Sequence, residues 1–472
     1  MKKFFITTPI YYINDVPHIG HTCTTLAADI LARLHRQLGE EVFFLTGTDE
    51  HGEKVAEVAE KEGLSPKDYC DKIAPRFAEA WKNLNISYDF FIRTTDPRHE
   101  KVVGEVLQKI YDAGDVYKGK YEGWYCTGCE SFKTEKELVD GHCPLHPPEK
   151  TVWKSEENWF FKLSKYIPKI IKLIEDPKTN YIFPEGKRSE ILAKLKAGVN
   201  DISITREKVK WGIPAVWDPN HTIYVWIEAL INYYSATQFV EGKQDFWPAD
   251  LHLLGKEILW FHTVIWQAML LSAKIELPKR IYTHDFYMID GQKMSKSLGN
   301  VISPQQLIDL FGVDGARYLV ARSFPTNGDS DVGIARFKEK YNADLANNLG
   351  NLVSRVCKLG SGIKTPLGSA ASPLEEGEKY QELIDNLKLD EAVGWVFEKY
   401  IDKSNNRLNE VVPWKLEESD PKRIEVITEC AENLKIAATY LIPVMPEISK
   451  KILDQLDGEI KPLESGLFPR IK

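Results

Sequence analysis

No run in this 472-residue chain is long and apolar enough for a membrane-spanning helix. The longest uncharged run of its most apolar region, Ile258–Ala273, carries His262 and Gln267 and falls short of the ~20 mostly apolar residues a span needs. It reads as a buried helix, and no membrane association is expected. Cysteine is scarce, seven residues in all, and the odd count argues against a disulfide framework. A secretory leader is not expected either. Lys2 and Lys3 precede Phe4, Phe5 and Ile6, but Thr7, Thr8 and Pro9 break the apolar run and no small-residue cleavage site follows. An N-terminal strand and a cytoplasmic location are expected. Repeats and low-complexity tracts are absent. Basic residues are outnumbered, 61 Lys and Arg against 69 Asp and Glu, for a net charge of −8. That argues against nonspecific coating of nucleic acid but leaves room for a local RNA-binding face.

What is present is an ordinary globular composition, 43% hydrophobic and 28% charged, with length for about three domains. Lys3–Thr8 reads as a strand that Pro9 interrupts. Thr22–Leu38 reads as a helix, with Leu26, Ala27, Ile30, Leu31 and Leu34 at helical spacing and Gly39 as a stop. Val42–Leu45 is a second strand, ending in Thr46, Gly47, Thr48 and Asp49. Strand, helix and strand make a βαβ unit and imply a parallel sheet. Glu53–Glu62 and Pro66–Leu84 are helical by pattern. From about Val116, Gly, Tyr, Trp and Cys become dense, which marks an insertion with its own fold. The α/β texture returns at Ile202–Ile204, Ile223–Trp226 and Leu251–Leu254, with a helix after Gly255. From Ala343 the patterns are long amphipathic helices, Leu345–Leu359, Leu389–Glu410 and Ile424–Met445, around a loop at Gly360–Ser372.

Three constellations carry chemistry. The first is His18-Ile19-Gly20-His21, between the first strand and its helix. A helix N-terminus offers unpaired N–H groups and a positive dipole end to anions, Gly20 admits a ligand to the backbone, and two histidines can donate to phosphate oxygens. Alone, the motif also describes a loop with two solvated histidines. The second is Lys293-Met294-Ser295-Lys296-Ser297, flanked by Gly291 and Gly299. It makes a cationic clamp suited to the charge that builds on a departing pyrophosphate; alone it is also a solvated basic turn. The third is Cys126-x2-Cys129 followed by Cys143-x2-His146, the spacing of a closed Cys3His zinc site with a structural role. His142 is a competing ligand, and the two-residue spacing favours His146.

The order and separation of the first two motifs resemble the signature pair of the class I aminoacyl-tRNA synthetases. Further segments are similar to those of the methionyl-tRNA synthetases: Thr7–Tyr12, Gly47–Gly52, Tyr224–Tyr233, and Gly255–His262 with Trp266 beyond. They span residues 7 to 300, and the helical C-terminal part continues the likeness over nearly the whole chain. The insertion looks too small for the editing domain of relatives that handle branched aliphatic amino acids, which favours methionine.

The resemblance implies an α/β fold, a Rossmann-like parallel-sheet catalytic domain split by a zinc-knuckle insertion and followed by an α-helical anticodon-binding bundle. The corresponding boundaries are 1–115 and 201–280 for the catalytic halves and 116–200 for the insertion, its knuckle at about 121–150. The lysine-loop and stem-contact linker takes 281–340 and the bundle 341–472. The implied reaction joins methionine to its tRNA. The methionine carboxylate attacks the α-phosphorus of Mg-ATP to give methionyl-adenylate and pyrophosphate, and the 3′-terminal ribose of tRNA(Met) then takes the methionyl group, for initiation and elongation.

The family motifs also imply roles. His18, Gly20, His21, Gly255, Glu257, Lys293 and Lys296 would bind ATP, Glu257 at the ribose, with His18, His21, Lys293 and Lys296 catalytic. Ile10, Tyr12, Asp49, Trp226, Ala229, Leu230, Tyr233, Ile258, Phe261, His262 and Trp266 would bind methionine, Asp49 at its ammonium and Tyr233 and His262 toward its sulfur. Thioethers favour aromatic walls by ~0.3–1.5 kcal/mol, although core packing is the commoner fate of such rings. Asn351, Arg355 and Trp414 match anticodon-reading positions, where bases stack on aromatics and bond Arg or Asn. One structural Zn2+, on Cys126, Cys129, Cys143 and His146, and Mg2+ with ATP are the implied ions. Many relatives add a C-terminal tRNA-binding barrel that also dimerises them; a monomer is expected here, with a separate tRNA-binding accessory protein left open. Two competing classes are a small-acid-activating adenylyl ligase, against which the helical bundle argues, and a non-catalytic RNA-binding relative, against which the intact signature residues argue.

Overall fold

Apolar runs between residues 3 and 284 lie edge to edge as six parallel strands. They are β1 (Lys3–Tyr12), β2 (Glu41–Asp49), β3 (Phe90–Arg93), β4 (Ile182–Phe183), β5 (Leu251–Gly255) and β6 (Ile281–His284), in the order β3-β2-β1-β5-β6-β4. The computed structural model describes all residues except 1, 129–130, 134, 145, 147–149, 180, 295–298, 327 and 366–376. β2 and β5 are buried almost throughout, as expected where a parallel sheet is covered on both faces. Strand β1 pairs with β2 on one side and β5 on the other, and the strand order reverses there. Ligands of open α/β sheets bind at such a switch point, outside the carboxyl ends of the strands. Those ends carry Tyr12, Asp49 and Gly255.

The strands are longer than their apolar runs. β1 does not stop at Pro9 but continues to Tyr12, with its register against β2 shifting between Thr7 and Ile10. The irregularity accommodates a residue that has no N–H for the ladder. β2 continues through Thr46–Asp49, and the buried Thr8 hydroxyl donates to the Thr46 hydroxyl at 2.7 Å. The segment Ile223–Trp226 is not one strand. The strand Asp218–Ile223 ends there and a helix, Val225–Leu230, starts two residues on; an apolar run this short has no period that separates the two.

The insertion is built on a long antiparallel pair, Val116–Cys126 with Thr151–Phe161, in register from Val116↔Phe161 to Cys126↔Thr151. Ser131–Lys133 and Ile202–Ser203 complete a four-stranded sheet. Cys126 therefore stands at the far tip.

The chain divides into two compact units. The first holds Met1–Pro17, Glu41–Glu79 and Tyr88–His284, and so the parallel sheet and the insertion. The second holds His18–Glu40, Ala80–Ser87 and Asp285–Lys472, and is mainly helical. Its helices include Ile19–Gln37, Pro304–Ala321, Asn351–Leu359, Leu389–Val396, Lys403–Val411, Pro421–Leu441 and Pro446–Leu456. Ile19–Gln37 starts three residues before the expected Thr22, because His18 caps it. Among the described residues no helix is long and apolar enough to cross a membrane.

Candidate active site

In the second unit the His18–His21 motif closes the N-terminus of the helix Ile19–Gln37 on itself. His18 Nδ1 accepts from the Gly20 N–H at 3.1 Å, and His21 Nδ1 accepts from the His18 N–H at 3.2 Å. The rings stack, centroids 3.9 Å apart. Each Nδ1 is thus an acceptor, which places the proton of each neutral ring on Nε2. Burial, and the neighbouring His18, hold His21 well below the usual histidine range, so it is neutral at physiological pH. A Cβ at position 20 would stand 2.9 Å from His18 Cε1, so the cap requires Gly20. The Met294 methyl would lie 3.3 Å from that same Cβ, and the Ile19 N–H donates to the Ile302 carbonyl at 2.8 Å. Met294 and Ile302, on either side of the undescribed residues 295–298, thus lie against the histidine motif. Lys293 sits on the short strand Gln292–Lys293; its side chain, and Lys296, lie outside the described residues.

In the first unit the expected methionine residues gather around the ends of β1 and β2 and three helical segments. The Trp226 and Phe261 rings stack at 4.0 Å and 13°. Tyr233 donates its hydroxyl proton to His262 Nε2 at 2.7 Å, and His262 Nδ1–H donates to the Ile258 carbonyl at 2.9 Å. That pair of bonds defines one neutral tautomer, and burial pushes His262 down to about 4. The two polar groups meet each other, so this wall presents an uncharged surface suited to a thioether. Ala229, Leu230 and Tyr233 are buried, whereas Ile10, Tyr12, Ile258, Trp226 and Phe261 are half-buried. Trp266 is fully buried among the rings of Tyr233 and Trp247. Asp49 is buried at the end of β2. Gly255 ends β5, and the Glu257 carboxylate folds back so closely that a Cβ at 255 would stand 2.6 Å from it.

The family model described as class I tRNA synthetases (M) matches residues 4–151 and 147–357. A methionine–tRNA ligase of Caldanaerobacter subterraneus is 43% identical over 477 residues, covering 96% of this chain and 74% of that one. One from Synechocystis is 40% identical over 481 residues, covering 97% and 90%. The solved structure of Mycobacterium tuberculosis methionyl-tRNA synthetase in complex with methionyl-adenylate matches with a TM-score of 0.90 at 34% identity, covering 100% of both chains. The chain belongs to the methionine–tRNA ligase family.

Two further groups bear on a ligase of this family. At the tip of the insertion Cys126, Cys143 and His146 bring their donor atoms within 4.8 Å of one another. Cys126 Sγ is 3.5 Å and Cys143 Sγ 3.8 Å from His146 Nδ1. A tetrahedral zinc with ordinary Zn–S and Zn–N bonds would separate sulfur and nitrogen by about 3.6 Å, so these residues fit the ion. Gly128 makes room, since a Cβ there would stand 2.3 Å from the His146 ring. His142 is not among the converging groups, and Cys129 lies outside the described residues. In the helical unit the Arg355 guanidinium lies 4.8 Å from the centroid of the Trp414 ring and donates to Asn409 at 3.0 Å. Trp414 is 46% exposed, which rules out a core plug, and it stands on a single turn, Pro413–Lys415, rather than in a loop. Asn351 is exposed at the start of the helix that carries Arg355.

Sequence reading passed over several polar groups beside the pocket. His252, on β5, bonds Thr7 Oγ1 at 2.7 Å and lies 4.4 Å from the Tyr233 ring. Its signal is a histidine inside an otherwise apolar strand. His51, His99 and Glu228 form a buried network.

Proposed function

We propose that these residues divide the ligase reaction as follows. Methionine enters the pocket walled by Ile10, Tyr12, Trp226, Ala229, Leu230, Tyr233, Ile258, Phe261, His262 and Trp266, with its ammonium on Asp49. ATP, with its Mg2+, lies with its ribose at Glu257 beside Gly255 and its phosphates at the Nε2–H groups of His18 and His21, close to the Gly20 backbone. The methionine carboxylate attacks the α-phosphorus, the bond to the β-phosphate oxygen breaks, and pyrophosphate leaves. Lys296, with Lys293, meets the charge that develops on it. The tRNA 3′-terminal hydroxyl then attacks the activated carbonyl and AMP departs. Positioning and charge stabilisation supply the catalysis, and no covalent intermediate with the protein is required. Asn351, Arg355 and Trp414 read the anticodon. Cys126, Cys129, Cys143 and His146 would hold one zinc ion, which when bound supplies a structural cross-link at the tip of the insertion.

The observation that carries the methionine reading is the Tyr233–His262 pair, a buried couple that satisfies its own hydrogen bonds and offers the side chain no charge. The test is ATP–pyrophosphate exchange with each of the twenty amino acids. Exchange with methionine alone is expected. Exchange with another amino acid would keep the chemistry and overturn the pocket.

A further inference from the structure

A carboxylate with no place in the mechanism above is buried behind the pocket wall. Glu228 is fully buried on the helix Val225–Leu230, which also carries Trp226, Ala229 and Leu230 of the proposed methionine pocket. Two histidines hold it. His51 Nδ1 stands 2.9 Å from Oε1 and His99 Nε2 3.3 Å from Oε2. An ionised carboxylate only accepts, so both rings donate. His99 in its Nε2–H tautomer turns a lone pair at Nδ1 to the Ser235 hydroxyl, 2.7 Å away. Burial would lower His51, but Glu228, with Glu100 and Glu50 further off, raises it. Burying a carboxylate is unfavourable until pairing offsets it, and well-packed apolar residues often serve as well for stability alone.

The network joins pieces that the chain keeps far apart. Glu228 lies 177 residues from His51 and 129 from His99. His51 follows Asp49 by two residues, and the turn between them is held from another side, where Trp211 Nε1–H donates to the Glu50 carbonyl at 2.6 Å and the Gly52 N–H donates to the Trp211 carbonyl at 3.1 Å. The His51 ring also packs edge-on against the Trp211 ring at 5.2 Å. The network thus joins the turn that follows Asp49 to the helix that carries Trp226 and Ala229.

We propose that His51, Glu228 and His99 are positioning residues that set the spacing between the ammonium-binding Asp49 and the side-chain wall of the methionine pocket. The inference rests on the methionine-site reading given above. Misplacement by about 1 Å is enough to cost an enzyme large factors in rate or binding.

The geometry supplies a test that side-chain volume cannot mimic. An Asn amide nitrogen replaces Nδ1 of a histidine, and a Gln amide nitrogen replaces Nε2. His51 reaches Glu228 through Nδ1 and His99 reaches it through Nε2, so the tolerated replacements are opposite. His51→Gln is expected to raise the methionine KM in ATP–pyrophosphate exchange about tenfold, with the ATP KM and kcat within about twofold, and His51→Asn to recover most of that loss. At position 99 the order reverses, with Gln tolerated and Asn impaired. The same order at both positions, or equal changes in the ATP KM, would overturn the proposal. Should one site fail to fold, as judged by circular dichroism and melting, the order at the other still decides. Asp49→Ala separates the two readings. If it leaves the methionine KM unchanged, the ammonium assignment fails and takes this inference with it. If it raises that KM while the Asn and Gln variants behave alike, only the positioning role fails.

Discussion

Arg317 and Asp29, 288 residues apart in sequence, form a fully buried ion pair, with Nη2 2.7 Å from the carboxylate. Around it the Arg317 guanidinium donates to the carbonyls of Leu84, Pro443 and Val444, and Asp29 accepts from the Ser87 N–H and hydroxyl and from Arg33. Burial alone would raise the Asp29 carboxyl, but Arg317 and Arg33 outweigh it and hold it below the usual range. The pair thereby ties the histidine-capped helix Ile19–Gln37 to the helix after the lysine loop, Pro304–Ala321, and to the chain before Pro446.

Removing one partner of a buried ion pair typically costs about 3–5 kcal/mol; Asp29 would keep Arg33 when Arg317 is lost, which places that variant toward the lower end. Arg317→Leu should therefore destabilise strongly in urea denaturation. The double variant Asp29→Leu, Arg317→Leu should cost less than the sum of the two single variants. Additive losses would show that the two do not act as a pair.

His262 makes a prediction about acid. Its folded value of about 4 lies below the roughly 6.5 of an unfolded histidine. Between those values the unfolded chain binds a proton that the folded chain refuses, so stability is lost as pH falls through that window. His21 and His252, both held low by burial, act with the same sign. His51, raised, acts with the opposite one: its contribution is present at low pH and lost as pH rises. Comparing His262→Gln with the parent isolates one group. The parent's advantage should shrink by about 2 kcal/mol between pH 7 and pH 5, at roughly 1.4 kcal/mol per pH unit below 6.5. An advantage independent of pH would contradict the neutral assignment.

The start of the helix Ile19–Gln37 was legible to within three residues because its parts are close in sequence: His18 and His21 sit one helical turn apart, and the strand–helix–strand pattern that places them has clear periods. Where the chain left its simplest pattern, sequence reading stopped short. Pro9 looks like an end to β1 because the register shift that accommodates it exists only against β2. Ile223–Trp226 spans the end of a strand and the start of a helix, and so short an apolar run carries too little period to show the change. Tyr233 and His262 were both marked for the pocket, yet their bond spans 29 residues and only the fold reveals that they face each other. Glu228 and His51 lay inside recognised motifs without a role, because the contact that gives them one is longer still.

The Arg355–Trp414 contact predicts a split between the two steps. A guanidinium over an exposed indole contributes about 0.5–1 kcal/mol and holds the ring as a platform, and a stacked base adds about 1–3 kcal/mol. Trp414→Ala should raise the tRNA KM in aminoacylation by roughly five- to a hundredfold, with methionine-dependent pyrophosphate exchange unchanged. Arg355→Ala should do the same more weakly, since the ring stays in place. A loss of exchange activity in either variant would assign the contact to folding instead.

The tip of the insertion predicts a local response to loss of metal. The antiparallel pair from Val116↔Phe161 to Cys126↔Thr151 is secured by its own ladder and ends at Cys126. Beyond it, Cys143 and His146 return to the same point, where a zinc ion would close the segment. Purified protein should contain about one zinc per chain, and Cys143→Ser should lose it, because three ligands without the fourth bind far less tightly. Proteolysis of the variant should then cut between residues 127 and 150 while the rest of the chain resists and the melting transition shifts little. Full zinc content in the variant would remove Cys143 from the ligand set. Global unfolding on zinc loss would mean that the tip supports much more of the molecule than its place at the end of one hairpin implies.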